Sequence, residues 1–224
     1  MELNELIKYT QQKRSYMPPG RIKIMEALKS LMKEKNFEAI TWMEIAKTAA
    51  VNEGLIYKYF RNKRNLLHEV MEEFQYEFFT LLYQELEGVE GALNKIKTFI
   101  FSTLKYFQHS RLYVRIILIE VRTYPDYFKT ESYEKMRIYV NALKSFIREG
   151  VQNGEIRDDI PIQRISQMIL GIIEHMMLPK LIFEQPMDFE GITEDICKFV
   201  YMGIEKKKNS KQKKISTIKQ SRNF

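Results

Sequence analysis

The sequence predicts an all-α fold, an N-terminal three-helix helix-turn-helix domain followed by a larger helical domain, and three observations predict it. Apolar residues recur at three- and four-residue spacing through nearly all of the 224 residues, the period of a helix face rather than of a strand. Only 9 Gly and 6 Pro interrupt the chain, too few for an architecture of many short strands and turns. Between residues 40 and 63, two short segments each open on a capping residue, separated by a turn of about three residues.

Taken in order, residues 1–17 form a basic arm that ends where Pro18 and Pro19 suit a helix start. A first helix spans about Arg21–Lys35, with Ile24, Leu28 and Leu31 on one stripe, and Asn36 and Phe37 close it, Asn tolerating a left-handed cap. Two short helices follow, Trp42–Ala49 and Glu53–Phe60, then a long one from near Asn62 to Glu87. Further helices are expected at 89–108, 111–123, 127–152, 161–184 and 188–207, broken at Gly88, His109-Ser110, Tyr124-Pro125, Asn153-Gly154 and Gln185-Pro186. The organisation expected is a helix-turn-helix domain over 18–78 with its motif at 41–60, a second domain over 79–205, and a basic tail over 206–224 too poor in apolar residues to fold.

The charge distribution points to a polyanion at the ends. Residues 1–65 carry 13 Lys/Arg against 7 Asp/Glu, and the tail carries 8 Lys/Arg and no acid, while the middle is net acidic. One cysteine, Cys197, excludes an intrachain disulfide and reads as a small buried hydrophobe. His68, His109 and His175 show no metal-ligand spacing, so no metal or cofactor is expected. No nucleophile–base pattern, phosphate loop or paired-carboxylate motif suggests an enzyme. No apolar run is read as spanning a bilayer and no signal-peptide core is present, so a cytoplasmic location and no membrane partner are expected.

The segment from Ile40 to Lys63 carries the function. Thr41 and Glu44 form a capping box, and Ile40 with Ile45 has the spacing of a hydrophobic staple. The pattern repeats with Asn52 as cap and Val51 with Ile56 as staple. Ala46 is small enough to let the two helices cross closely. Asn52, Glu53, Leu55, Lys58 and Tyr59 are then left outward on the second helix, Asn52 suited to adenine and Leu55 to a thymine methyl. Tyr57 and Lys58 are natural phosphate partners. Arg61, Lys63 and Arg64 violate the macrodipole preference at the start of the long helix, and a phosphate landing there would reverse the sign.

With Thr41, Ile45, Ala46, Ala49, Val51, Gly54, Tyr57, Tyr59, Phe60, Asn62, Lys63 and Leu66 in place, the segment resembles the DNA-binding domain of the TetR/AcrR family of one-component regulators. The resemblance covers about residues 21–67 and implies a DNA-binding set of Thr41, Asn52, Glu53, Gly54, Leu55, Tyr57, Lys58, Tyr59 and Lys63. Two residues depart from the pattern. Ala50 stands where a turn glycine is usual, and a left-handed L-residue costs about 1–2 kcal/mol; Leu55 replaces a small hydroxyl residue.

The resemblance further implies a homodimer, built through about 161–207, that binds a double-stranded DNA operator and releases it on binding a small-molecule effector. Helix 161–184 is apolar nearly all round, with Gly171 inside it, and a subunit interface explains both features while an ordinary core helix explains only the first. The effector pocket is expected among the dense aromatics between residues 74 and 128, at Phe74, Phe78, Tyr83, Phe99, Tyr106, Tyr113 and Tyr124, and the scarcity of facing polar groups suggests an apolar ligand such as an acyl chain or an aromatic compound. Glu120 shares a helical face with Tyr113, Ile116, Ile117 and Tyr124, either as a ligand contact or as the more ordinary partner of Arg111, Arg115 or Arg122. The function read from the sequence is thus a sequence-specific regulator, a repressor released by an apolar effector. The rival reading is an architectural or partner-controlled DNA-binding protein without an effector.

Overall fold

Residues 17–183 and 188–206 are described by this computed structural model, so the basic arm before Met17 and the basic tail after Lys206 lie outside the described residues. Nine α-helices order them: α1 Pro19–Glu34, α2 Trp42–Ala49, α3 Glu53–Tyr59, α4 Lys63–Leu86, α5 Ala92–His109, α6 Arg111–Arg115, α7 Glu131–Gln152, α8 Ile162–Phe183 and α9 Phe189–Ile204. α2 spans the predicted residues, and apart from α6 the rest differ from expectation by a few positions at their ends.

The local chemistry explains most starts. Pro occupies the first turn of α1, whose own N–H would be unpaired there anyway. Asn62 caps α4, its side chain accepting from Asn65 N at 2.7 Å. Thr130 and Asp188 do the same for α7 and α9. The end of α1 is a correction: Asn36 is extended at φ −68° and ψ 144°, not left-handed, and the helix stops because Lys35 before it is already extended. A second correction concerns the helix expected over 111–123. Only Arg111–Arg115 is α-helical; Ile116–Glu120 winds as a π-turn, and Pro125–Lys129 forms a 3₁₀ helix ahead of α7.

α1, α2 and α3 pack together, and α4 joins them to the rest by packing on α1 at one end and on α5 and α7 further along. The expected boundary near residue 78 falls inside α4, which runs unbroken through both parts. α5 lies at the centre of the body, against α4, α7 and α9, and α7 packs on α8. The end of α9 is tied back to the opposite pole, with Tyr201 Oη donating to Leu93 O at 2.7 Å and Lys206 N to Glu155 O at 2.9 Å. α8 corrects the expectation that no stretch could span a bilayer, because by length and composition it is apolar enough to do so. Its buried stripe is Ile165, Ile169, Ile173, Met177 and Leu181, while Met168, Met176, Ile182 and Phe183 stay exposed.

Candidate DNA-binding surface and effector crevice

The motif is built by reciprocal caps. Thr41 Oγ1 accepts from Glu44 N at 3.3 Å, and Thr41 N donates to Glu44 Oε2 at 2.8 Å. The Lys35 ammonium also holds Glu44, and together with the Thr41 bonds it pulls the carboxyl down to about 2. Ala50 then turns the chain at φ 53° and ψ 48°, the left-handed geometry expected of it, and is the one non-glycine at positive φ among the described residues. Asn52 Oδ1 accepts from Leu55 N at 2.8 Å and starts α3. Ile45 and Ile56 are fully buried where α2 and α3 meet, and Ala46 is nearly so.

Asn52, Glu53, Gly54, Tyr57 and Lys58 are exposed on α3, and Thr41 is exposed at the start of α2. Tyr57 meets Trp42 edge-on at 5.8 Å, so the first turn of α2 braces the ring that α3 presents. Met43 beside it, 67% exposed, was not singled out by the sequence because a lone methionine carries no motif. Leu55 and Tyr59 are half-buried rather than outward. A Cβ on Gly20 would come within 2.9 Å of Leu55 Cδ2 and 3.5 Å of Tyr59, so both side chains seat the recognition helix against the first turn of α1.

Lys63 turns toward the protein. Its ammonium donates to the carbonyls of Phe37 at 3.0 Å, Glu38 at 3.1 Å and Ile40 at 2.7 Å, which uses all three of its N–H groups. Burial lowers its pKa, and the Phe37 ring lies 4.7 Å away. Lys63 therefore ties the start of α4 to the chain leading into α2. Arg64 likewise pairs with Glu38, and only Arg61 of the three stays exposed.

Five of the eight expected effector residues come together in the body. Phe78 stacks on Tyr106 at 5.1 Å, and Tyr113 meets Phe74 at 5.8 Å and Phe78 at 6.3 Å. Phe99 joins through Tyr139, stacked at 4.5 Å, a ring not among the expected pocket residues. Their hydroxyls find partners: Tyr106 Oη donates to Phe74 O at 2.9 Å, and Tyr139 Oη lies 3.0 Å from Thr103 Oγ1. Burial raises the pKa of Tyr106, Tyr113 and Tyr139, so all three are neutral at any ordinary pH. The other three residues do not join them. Tyr83 is 40% exposed on α4, Tyr124 lies 5.1 Å from the Arg64 guanidinium, and the Glu120 carboxylate lies 3.8 Å from Arg115 Nε.

The open space lies beside this cluster. A crevice of about 750 Å³ separates α1 from α5, α6 and the end of α8. Lys29, Lys33, His109, Arg111 and Arg115 edge it, and Phe74, Leu112 and Leu181 supply an apolar wall. Its one carboxylate, Glu26, is paired with Lys29. Phe74 borders both the crevice and the aromatic cluster. The cations come from helices far apart in sequence, so no spacing could have announced them.

Residues 24–70 match the family model described as bacterial regulatory proteins of the tetR family, and residues 67–203 match that of the YsiA-like protein C-terminal region. The fatty acid metabolism regulator protein of Bacillus subtilis is 24% identical over 189 residues, covering 84% of this chain and 97% of the relative. The transcriptional repressor KstR2 of Mycolicibacterium smegmatis is 22% identical over 154 residues, 66% of this chain and 73% of its own. Among solved structures, FadR from Bacillus subtilis in complex with stearoyl-CoA superposes with a TM-score of 0.73 at 23% identity, over 82% of this chain and 99% of that one.

Proposed function

The chain belongs to the TetR family of bacterial regulatory proteins and is a sequence-specific DNA-binding transcriptional regulator, and on that premise we propose that it is a cytoplasmic homodimeric repressor released by a long-chain acyl thioester. Two copies of α3 would enter successive major grooves of a palindromic operator, roughly 34–36 Å apart, with Tyr57, Lys58, Asn52, Glu53 and Gly54 as the contacting set and Thr41 on a flanking phosphate. α8 and α9 would form the dimer interface. Met168, Met176, Phe199 and Met202 expose a large apolar area there, and nothing lies within 4 Å of the Cβ direction of Gly171, which leaves room for a partner helix.

The observation that carries the effector is the crevice. Its rim is cationic and its wall apolar, with the aromatic cluster behind Phe74, the division an amphiphile with an anionic head and a long tail requires. The acyl chain would lie along Phe74 and part the Phe78, Tyr106 and Tyr113 rings, and the cationic rim adds a charged head to the apolar ligand expected from the sequence. A relative solved with stearoyl-CoA supports the same class of ligand. The test is a thermal-shift and operator-release experiment with stearoyl-CoA, free coenzyme A and stearate in parallel. Stearoyl-CoA at 100 times its dissociation constant should stabilise the protein by about 2.7 kcal/mol and free the operator. Equal effects from free coenzyme A, or none from any of the three, would overturn the assignment.

A further inference from the structure

α6 leaves the α-helical path where it meets the DNA-binding domain. Val121 N donates to Ile116 O at 3.1 Å, five residues back, so the turn Ile116–Glu120 holds one residue more than an α-helix would. Such turns are rare and concentrate where function needs them.

Both ends of this turn are fastened to the DNA-binding domain. Arg115, just before it, donates through Nη2 to Met32 O and, at 3.4 Å, to Lys35 O, carbonyls at the C-terminal end of α1 that have no partner within the helix. Glu120, its last residue, offers its backbone carbonyl to Arg64 Nη1 at 3.1 Å, in the first turn of α4. Arg64 in turn pairs with Glu38 and lies between the rings of Phe37 and Tyr124, at 4.7 and 5.1 Å. The two fastenings grip the end of α1 and the start of α4, and the start of α1 is the surface on which Leu55 and Tyr59 seat the recognition helix.

We infer that Arg64 and Arg115 are positioning residues that hold the DNA-binding domain at a fixed angle through the π-turn, and that they transmit to it any displacement of α6. Returning to α-helical pairing would rotate everything after it by about 100°, one residue of a 3.6-residue turn, and carry the Glu120 carbonyl away from Arg64. The present arrangement also leaves Arg115 Nε buried with no hydrogen-bond acceptor among the described residues, the Glu120 carboxylate standing 3.8 Å off. A small movement of the turn would bring the carboxylate into hydrogen-bond range.

The transmission half of this inference rests on the acyl-thioester reading, and the experiment separates the two. Affinity for a duplex selected by the protein from a random pool is measured for the wild type, Arg64→Gln, Arg115→Gln and the double variant, with and without saturating stearoyl-CoA. Arg64 does not line the crevice, so Arg64→Gln should bind stearoyl-CoA as the wild type does, yet its DNA affinity should change less than 2-fold on adding it. A wild-type response in Arg64→Gln overturns the inference. If the wild type itself ignores stearoyl-CoA, the effector reading fails and the ligand-free affinities decide. Losing either fastening frees the same angle, so the double variant should bind DNA no more weakly than the worse single variant, whereas multiplying losses overturn the inference. Circular dichroism checks that each variant folds, and Arg64→Lys, which keeps the charge without the two-pronged reach, replaces Arg64→Gln if that variant does not.

Discussion

The helix-turn-helix and the body are both helical, yet they are held together by different kinds of contact. In the first, each helix start is capped by a neighbour: Thr41 with Glu44, Asn52 with Leu55, Asn62 with Asn65, each three residues apart. In the body the partners are distant, as with Tyr106 and Phe74 across 32 residues or Lys135 and Glu72 across 63. Short-range capping starts helices cheaply and leaves their outer faces free to meet DNA. Long-range ring packing builds a core whose side chains support one another. Substitutions should therefore act on DNA affinity in one region and on stability in the other.

The largest effect should come from the body. Phe99→Ala removes a fully buried ring stacked on Tyr139 and should destabilise the protein by about 3–5 kcal/mol in urea unfolding. A loss under 1 kcal/mol would mean that this cluster is looser than its packing implies. Lys63→Met tests the border between the regions. It keeps the apolar stem but strips three carbonyls of their donor, so stability should fall by about 2–3 kcal/mol, read from the urea midpoint. A drop in DNA affinity at unchanged stability would return Lys63 to the phosphate role.

Tyr57→Ala should do the reverse. The ring is 57% exposed, so the melting temperature should hardly move, while operator binding weakens by about 1–3 kcal/mol in an anisotropy titration. Ala50→Gly relieves the left-handed strain at φ 53° and should stabilise by about 1 kcal/mol, part of the relief being offset by the freer unfolded chain. A destabilised variant would show that the Ala50 methyl contributes packing that outweighs the strain.

The smallest effect is on acid stability. Lys35 first, then the Thr41 bonds, hold the Glu44 carboxyl near 2, against an ordinary 4.5. A depressed folded-state value means that the contribution is complete above pH 4.5 and is lost as the pH falls through about 2. Glu44→Gln should flatten this part of the profile, and superimposable urea midpoints for the two proteins from pH 5 to 2 would remove Glu44 from the account.

The sequence by itself determined the helix-turn-helix down to its residues, because caps, staples and the turn act over three to five positions and leave their pattern in the chain. Thr41, Ala50 and Asn52 were legible for that reason, as were the helical class and the body's apolar faces. Only the tertiary structure decided where the outward-looking residues of α3 and α4 would go. Leu55 and Tyr59 found Gly20, and Lys63 found the carbonyls of Phe37, Glu38 and Ile40, 23 to 26 residues away. The crevice cations and the π-turn's two fastenings belong to the same class. A helix face shows which residues point outward, but not what stands opposite them, since that depends on how rigid helices stack after each has formed.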